Sequence, residues 1–192
     1  MSLTDAQIDR YSRQIIVPRI GGRGQERLLA ARILLVGDAR DIEAPLAYLV
    51  GAGVGTICLK LSGDQAVPTE KSELNADVSV TLANESQGRI DLALMIIGSE
   101  TARKIADARV NSRDVRAAVI ARLDKPGKIV VLPDAHSPRT VGAEFGARSE
   151  AADFIAMLAT AEAFKLIAGY AENPMRATIE FDAYESKVRV IS

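Results

Sequence analysis

Apolar and polar positions change period several times along the chain, and each change marks an element. Thr4-Asp5-Ala6-Gln7 has the spacing of a capping box, and Ile8, Tyr11 and Ile15 follow at helical intervals, so a helix is expected to open the chain. Pro18 and the pair Gly21-Gly22 are expected to break it, and Gly24–Ala31 reads as a second short helix. Arg32–Gly37 then runs apolar from Ile33 to Val36 and stops at glycine, the pattern of a strand covered on both faces of a parallel sheet. A helix over 42–50 places Ile42, Leu46, Leu49 and Val50 on one face.

The alternation continues with strands expected at Thr56–Leu61, Val78–Leu82 and Asp91–Ile97, a helix at Glu100–Val110, and strands at Ala117–Ala121 and Lys128–Leu132. Strands interleaved with helical patterns predict a doubly wound, mostly parallel Rossmann-like α/β sheet. Asp134–Arg148 is a polar loop containing Pro138 and Gly142. Ser149 is expected to cap the helix Glu150–Ala168, which is apolar nearly all round and therefore buried, in the core or at a subunit interface. Gly169 ends it, and Thr178–Asp182 with Lys187–Ile191 alternate as a C-terminal β-hairpin with one wet face.

A single domain spans 1–192: an N-terminal helical arm over 1–31, the core over 32–132, a short loop over 133–148, and the helix and hairpin over 149–192. Composition narrows the function classes. Lys and Arg number 24 against 25 Asp and Glu, so no basic excess points to nucleic acid or an anionic membrane. One cysteine and one histidine cannot build a structural zinc site or a disulfide framework. The N-terminus lacks a charged-then-apolar signal, and no apolar run is long enough to span a bilayer, so a cytoplasmic location is expected.

Candidate chemistry is sparse. Gly51-Ala52-Gly53-Val54-Gly55 follows a helix and precedes a strand, the wrong end for a dinucleotide fingerprint, and reads as a packing turn. This placement also disfavours an NAD-dependent oxidoreductase. The phosphate-loop position, directly after strand 32–37, holds Asp38, Arg40, Asp41 and Glu43 around a lone Gly37. Those carboxylates suit a helix N-terminus but repel a polyphosphate. Cys58 is expected to be a buried structural thiol, and His136 a solvated loop residue. Arg13 reads from the residues alone as an exposed helix arginine.

The segment Leu3–Ile16, with Arg10-Tyr11-Ser12-Arg13-Gln14 at its centre, resembles the opening of the ThiF/MoeB/HesA family, the prokaryotic relatives of ubiquitin-activating enzymes. The likeness continues through Gly24–Leu28, Ile33–Gly37 and Ala52–Thr56, and late in the chain through Ala161–Tyr170. The resemblance implies a symmetric or pseudo-symmetric dimer that binds MgATP and adenylates the C-terminal glycine of a small ubiquitin-like or sulfur-carrier protein. It implies that Arg13 reaches into the partner subunit's ATP site, where a guanidinium can clamp phosphate oxygens.

The departures from the family pattern fall in the nucleotide site. The glycine-rich turn is replaced by Gly37-Asp38-Ala39-Arg40-Asp41-Ile42, and the acidic residue ending the second strand falls near Leu61, with Asp64 displaced from it. Lys71 is the sole candidate for the lysine, and the stretch before Asn75 looks too short for a full crossover helix. The Asp-Asn pair maps onto Gly98-Ser99, with Arg103 retained after it, and Pro133–Arg148 replaces the zinc-cysteine and thioester-loop segment. The expectation is therefore a shortened, degenerate, non-catalytic member that needs no cofactor. It would act as a homodimer, as the heterodimer partner of an active paralogue, or as a regulatory or scaffold subunit. The alternative is a residual adenylating enzyme that uses ATP and Mg, with Arg13, Arg40, Lys71 and Arg103 on the phosphates.

Overall fold

The computed structural model describes residues 2–63, 74–83, 88–110, 114–125, 127–133, 144–170, 177–182 and 187–191. Two short helices, α1 (Asp5–Arg10) and α2 (Ser12–Ile15), form the arm and lead into α3 (Gly21–Ala30). The strands are β1 (Arg32–Gly37), β2 (Thr56–Leu61), β3 (Ser79–Leu82), β4 (Ile90–Ile97), β5 (Val115–Arg122), β6 (Gly127–Leu132), β7 (Ala177–Asp182) and β8 (Lys187–Ile191). Helix α4 (Ala39–Ala52) connects β1 to β2, α5 (Glu100–Val110) connects β4 to β5, and α6 (Ala152–Ala168) precedes β7. Among the described residues, no helix is long and apolar enough to cross a membrane.

All eight strands join one sheet in the order β3-β2-β1-β4-β5-β6-β7-β8. The first five run parallel and the last three antiparallel. The expected C-terminal hairpin forms and extends the main sheet through β6–β7 pairing.

The apolar run of β1 is divided by the strand's two-residue period. Ile33 and Leu35 face α3, α4 and α6, while Leu34 and Val36 join Met95, Ile120 and Ala106 of α5 on the opposite face. Truncating a fully buried side chain such as Leu35 to alanine costs about 2–5 kcal/mol in comparable cores. Cys58 is wholly buried in β2, in keeping with a structural thiol.

Three boundaries move from their expected places. Helix α4 starts at Ala39, three residues before the expected 42, because the carboxylates that suit a helix N-terminus lie within its first turn. Gly21-Gly22 begins α3 instead of breaking the chain, since Gly21 adopts φ +57° and its N–H bonds the Val17 carbonyl. Helix α6 is N-capped by Ala151. Ser149 supports the turn from outside it, its hydroxyl accepting from the Ala151 N–H at 3.2 Å. The apolarity of α6 is explained by the core: Ile155, Ala159, Ala163 and Phe164 are buried where it meets α3, α4 and β5.

Candidate functional site

In an open α/β sheet the natural ligand crevice lies beyond the carboxyl ends of the strands, where the strand order reverses. Here that place is between β1 and β4, beyond Gly37 and Ile97. Local sequence delivers charged side chains to it from four directions. The first turn of α4 brings Asp38 and Asp41, the end of β2 brings Ser62, and the turn after β4 brings Gly98, Ser99 and Glu100. The end of β5 brings Arg122, with Asp124 just beyond it and Arg148 bridged to Asp124.

Arg148 is aimed by backbone pairing. Asp124 and Arg148 form an isolated antiparallel bridge, Lys125 N–H donates to the Ala147 carbonyl at 2.9 Å, and Ser149 N–H to the Leu123 carbonyl at 2.7 Å. The Arg148 Nη2 then lies 2.8 Å from Asp41 Oδ1 and 3.3 Å from Asp153 Oδ1. The Asp41 side chain is 1% exposed and that of Arg148 is 29% exposed. The remaining atoms, Asp41 Oδ2 and Arg148 Nη1, are buried without a hydrogen-bond partner among the described residues.

The pair sits on Gly98. A Cβ at residue 98 would lie 1.6 Å from Asp41 Oδ2 and 3.2 Å from Arg148 Nη1. Asp41 therefore fills, from α4, the volume that any side chain at position 98 would need.

The other polar groups are likewise committed. Asp38 is the N-cap residue of α4 but its carboxylate does not cap the helix. Its Oδ1 accepts from the Ser99 hydroxyl at 3.1 Å and from the Ser62 hydroxyl. Arg122 grips Asp124 through Nε and Nη2, at 2.9 and 2.5 Å. Burial pushes the Asp124 carboxyl up, but Arg122 and the Gly146 N–H outweigh it and hold its pKa below the usual aspartate value.

Arg103 lies on α5 between Glu100 and Asp107, at 2.6 and 2.5 Å. Its hydrogen bond, helped by the Phe145 N–H, lowers the Glu100 pKa to about 2. Of the expected phosphate contacts, Arg103 is thus occupied within its own helix, and Arg40 is 75% exposed at 3.4 Å from Asp41. Lys71, Asp64 and His136 lie outside the described residues.

Arg13 is far from its own crevice in the fold, exposed on α2. The arm that carries it is anchored by its neighbours. Tyr11 is 1% exposed, and its hydroxyl donates to Asp77 at 3.0 Å while accepting from Asn75 Nδ2 at 2.9 Å. Arg10 reaches Asn75 at 2.7 Å and Asp77 at 3.0 Å, and Gln7 reaches Asp77 at 3.2 Å. The Tyr11 carbonyl accepts from the N–H groups of Gln14 and Ile15, so α2 hangs from the anchored residue.

The glycine turn 51–55 is a packing turn. Gly53 ends α4 at φ +79° against the Tyr11 ring, and Gly55 donates to the Leu28 carbonyl. The capping box of α1 is present as its spacing predicts.

Sequence reasoning noted Asp41 and Gly98 separately but did not pair them, and it missed the roles of Arg148, Asn75 and Asp77. Composition carried no signal for these contacts; only the Asn75–Asp77 spacing, with Asn75 Oδ1 accepting from the Asp77 N–H, had a local turn signature.

No family model matches the chain. It is 42% identical over 93 residues to the adenylyltransferase and sulfurtransferase Uba4 of Aspergillus terreus, a match covering 48% of this chain and 18% of the relative. It is 48% identical over 58 residues to the sulfur carrier protein adenylyltransferase of Thermus thermophilus, covering 30% and 21%. The matched stretches therefore span about a fifth of these relatives. Among solved structures, the match to PaaA covers 99% of this chain and 74% of the PaaA chain, at a TM-score of 0.64 and 18% identity. Escherichia coli MccB, in its crystal structure with MccA-N7isoASN, matches 95% and 71% at 0.67 and 17%. At such identities these structures share the fold. The sequence relatives and the shared fold together support a likeness to ThiF/MoeB-type proteins.

Proposed function

We propose that this protein is a non-catalytic member of its family, acting as a dimer partner or regulatory subunit in the activation of a ubiquitin-like or sulfur-carrier protein. The observation that carries the reading is the Asp41–Arg148 ion pair lying on Gly98. A magnesium–nucleotide complex does not fit these residues. Asp41 is held by Arg148, Asp38 by Ser62 and Ser99, and residue 98 offers no carboxylate. Among the described residues, Arg103 and Arg122 are already paired with carboxylates, and the exposed Arg40 lies beside Asp41.

The exposed Arg13 on an anchored arm supports action in trans. The proposed partner is a second copy of the chain or an active paralogue, and the carrier is one that the paralogue adenylates. The test is isothermal titration of the full chain with MgATP, followed by ATP–pyrophosphate exchange with a candidate carrier. No saturable heat and no exchange are expected. Saturable binding with exchange would restore the residual-enzyme reading, with Arg40 on the phosphates. Sedimentation at working concentration checks the dimer, and a monomer in the presence of every candidate partner would remove it.

A further inference from the structure

Two adjoining cavities open at the end of the sheet opposite the crevice, and Arg27 lines both. The larger, of 510 Å³, lies between the last turns of α3 and α6 and the first residues of β4 and β5. Leu166 and Ile167 of α6 with Leu92 of β4 give it an apolar wall, and Arg116 and Asp91 stand at its polar side. The smaller, of 330 Å³, is lined by Arg19, Arg23 and Arg27. Small-molecule sites commonly occupy roughly 300–1,000 Å³ and join an apolar wall to a few polar groups.

The charge around these hollows is unbalanced. Among the described residues, four arginines line the hollows with one carboxylate, and Asp91 Oδ2 already accepts from the Arg32 N–H at 2.9 Å. Arg27 donates to the Ala168 carbonyl at 3.3 Å and so covers the negative end of α6. Arg19 lies over the Tyr170 ring, 5.7 Å from its centroid. Arg23 and Arg116 are exposed and have no ion pair or hydrogen bond among the described residues. Clustered guanidiniums repel one another, and an anion placed among them removes that repulsion. Phosphate suits the task because a guanidinium donates to two of its oxygens at once.

We propose that the paired cavities bind a small phosphate monoester carrying a compact apolar body. The phosphate takes the hollow of Arg19, Arg23 and Arg27, and the body lies against Leu166 and Ile167, within reach of Arg116. The site is separate from the crevice and does not depend on how the crevice is read.

The test is calorimetry on the full chain with phenyl phosphate, inorganic phosphate and phenol as probes. Phenyl phosphate is expected to saturate, with inorganic phosphate weaker by about tenfold or more and phenol weaker still. Arg23→Gln, which removes no internal contact, should weaken phenyl phosphate about fivefold or more without shifting the ligand-free Tm, while Arg116→Gln, beside the apolar body, should weaken it less. Absence of saturation at millimolar probe overturns the proposal. So does equal affinity for inorganic phosphate, which would reveal an anion patch with no place for the body, or unchanged affinity in Arg23→Gln. Any MgATP heat that disappears in Arg23→Gln belongs to this patch and not to the crevice, which keeps the two readings apart.

Discussion

Asp41 and Gly98 share one volume: the carboxylate Oδ2 lies 1.6 Å from where a Cβ on residue 98 would stand. The two positions belong to different elements, the first turn of α4 and the turn after β4, and the carboxylate at 41, where it stands, excludes a Cβ at 98. The family resemblance places a carboxylate at position 98; this chain carries one at 41 and pairs it with Arg148.

That exclusion predicts non-additive mutants. Gly98→Ala should destabilise the protein by about 1–3 kcal/mol or more through overpacking. Asp41→Ala alone loses the ion pair, with the cost limited because the 29% exposed Arg148 can turn toward water. In Asp41→Ala/Gly98→Ala the clash is gone, so the double variant should be more stable than the sum of the singles. Urea denaturation of the four proteins measures the coupling, and strict additivity would show that the two side chains do not compete.

Tyr11→Phe keeps the ring packed on Gly53 and removes the hydroxyl that joins Asn75 and Asp77. A loss of about 1–2 kcal/mol is expected. Hydrogen exchange over residues 4–17 should rise more than exchange in the sheet, because the arm loses its anchor.

Alkaline titration reports on the same contact. Burial raises the Tyr11 pKa above the ordinary 10.0, against the Asn75 hydrogen bond and with the help of Asp77. The folded state thus holds the proton longer than the unfolded chain does. This contribution is full below pH 10 and is lost as pH rises through the folded pKa. Ultraviolet titration should show one phenol ionising late, and its absence in Tyr11→Phe assigns it.

Glu100 gives the opposite sign. The Arg103 hydrogen bond first, and the Phe145 N–H second, lower its pKa from 4.5 to about 2. The contact between α5 and Phe145 is therefore complete above pH 4.5 and lost as pH falls toward about 2. Carboxyl NMR shifts across that range check the midpoint. Glu100→Gln should abolish this titration while leaving stability near neutral pH little changed, since the group is solvated.

Arg13→Ala should leave stability within about 0.5 kcal/mol, since the side chain is exposed on α2. Under the partner reading it should lower the adenylation rate of an active paralogue assayed with this chain. Unchanged rates with a paralogue shown to bind would refute action in trans.

Periodicity alone determined the order and kind of the elements. A core strand such as β1 and a packed helix such as α6 must bury continuous apolar surface, and that requirement is written locally. The arm's capping box and the glycine stop after α6 were legible for the same reason: each is satisfied within a few residues. The start of α4 was expected three residues late although its carboxylates suit a helix N-terminus, and nothing local pairs Asp41 with Arg148, more than a hundred residues away in sequence.

Arg103 meets Glu100 and Asp107 at helical spacing within α5, a pairing that local sequence carries. Only the tertiary structure decided the long-range pairs, Asp41 with Arg148 and Arg10 with Asp77. An ion pair acts through distance and burial, and both depend on which elements the sheet brings together. Local spacing contains neither, so the crevice's occupants became visible only when β1, β4 and the segment after β5 were placed side by side.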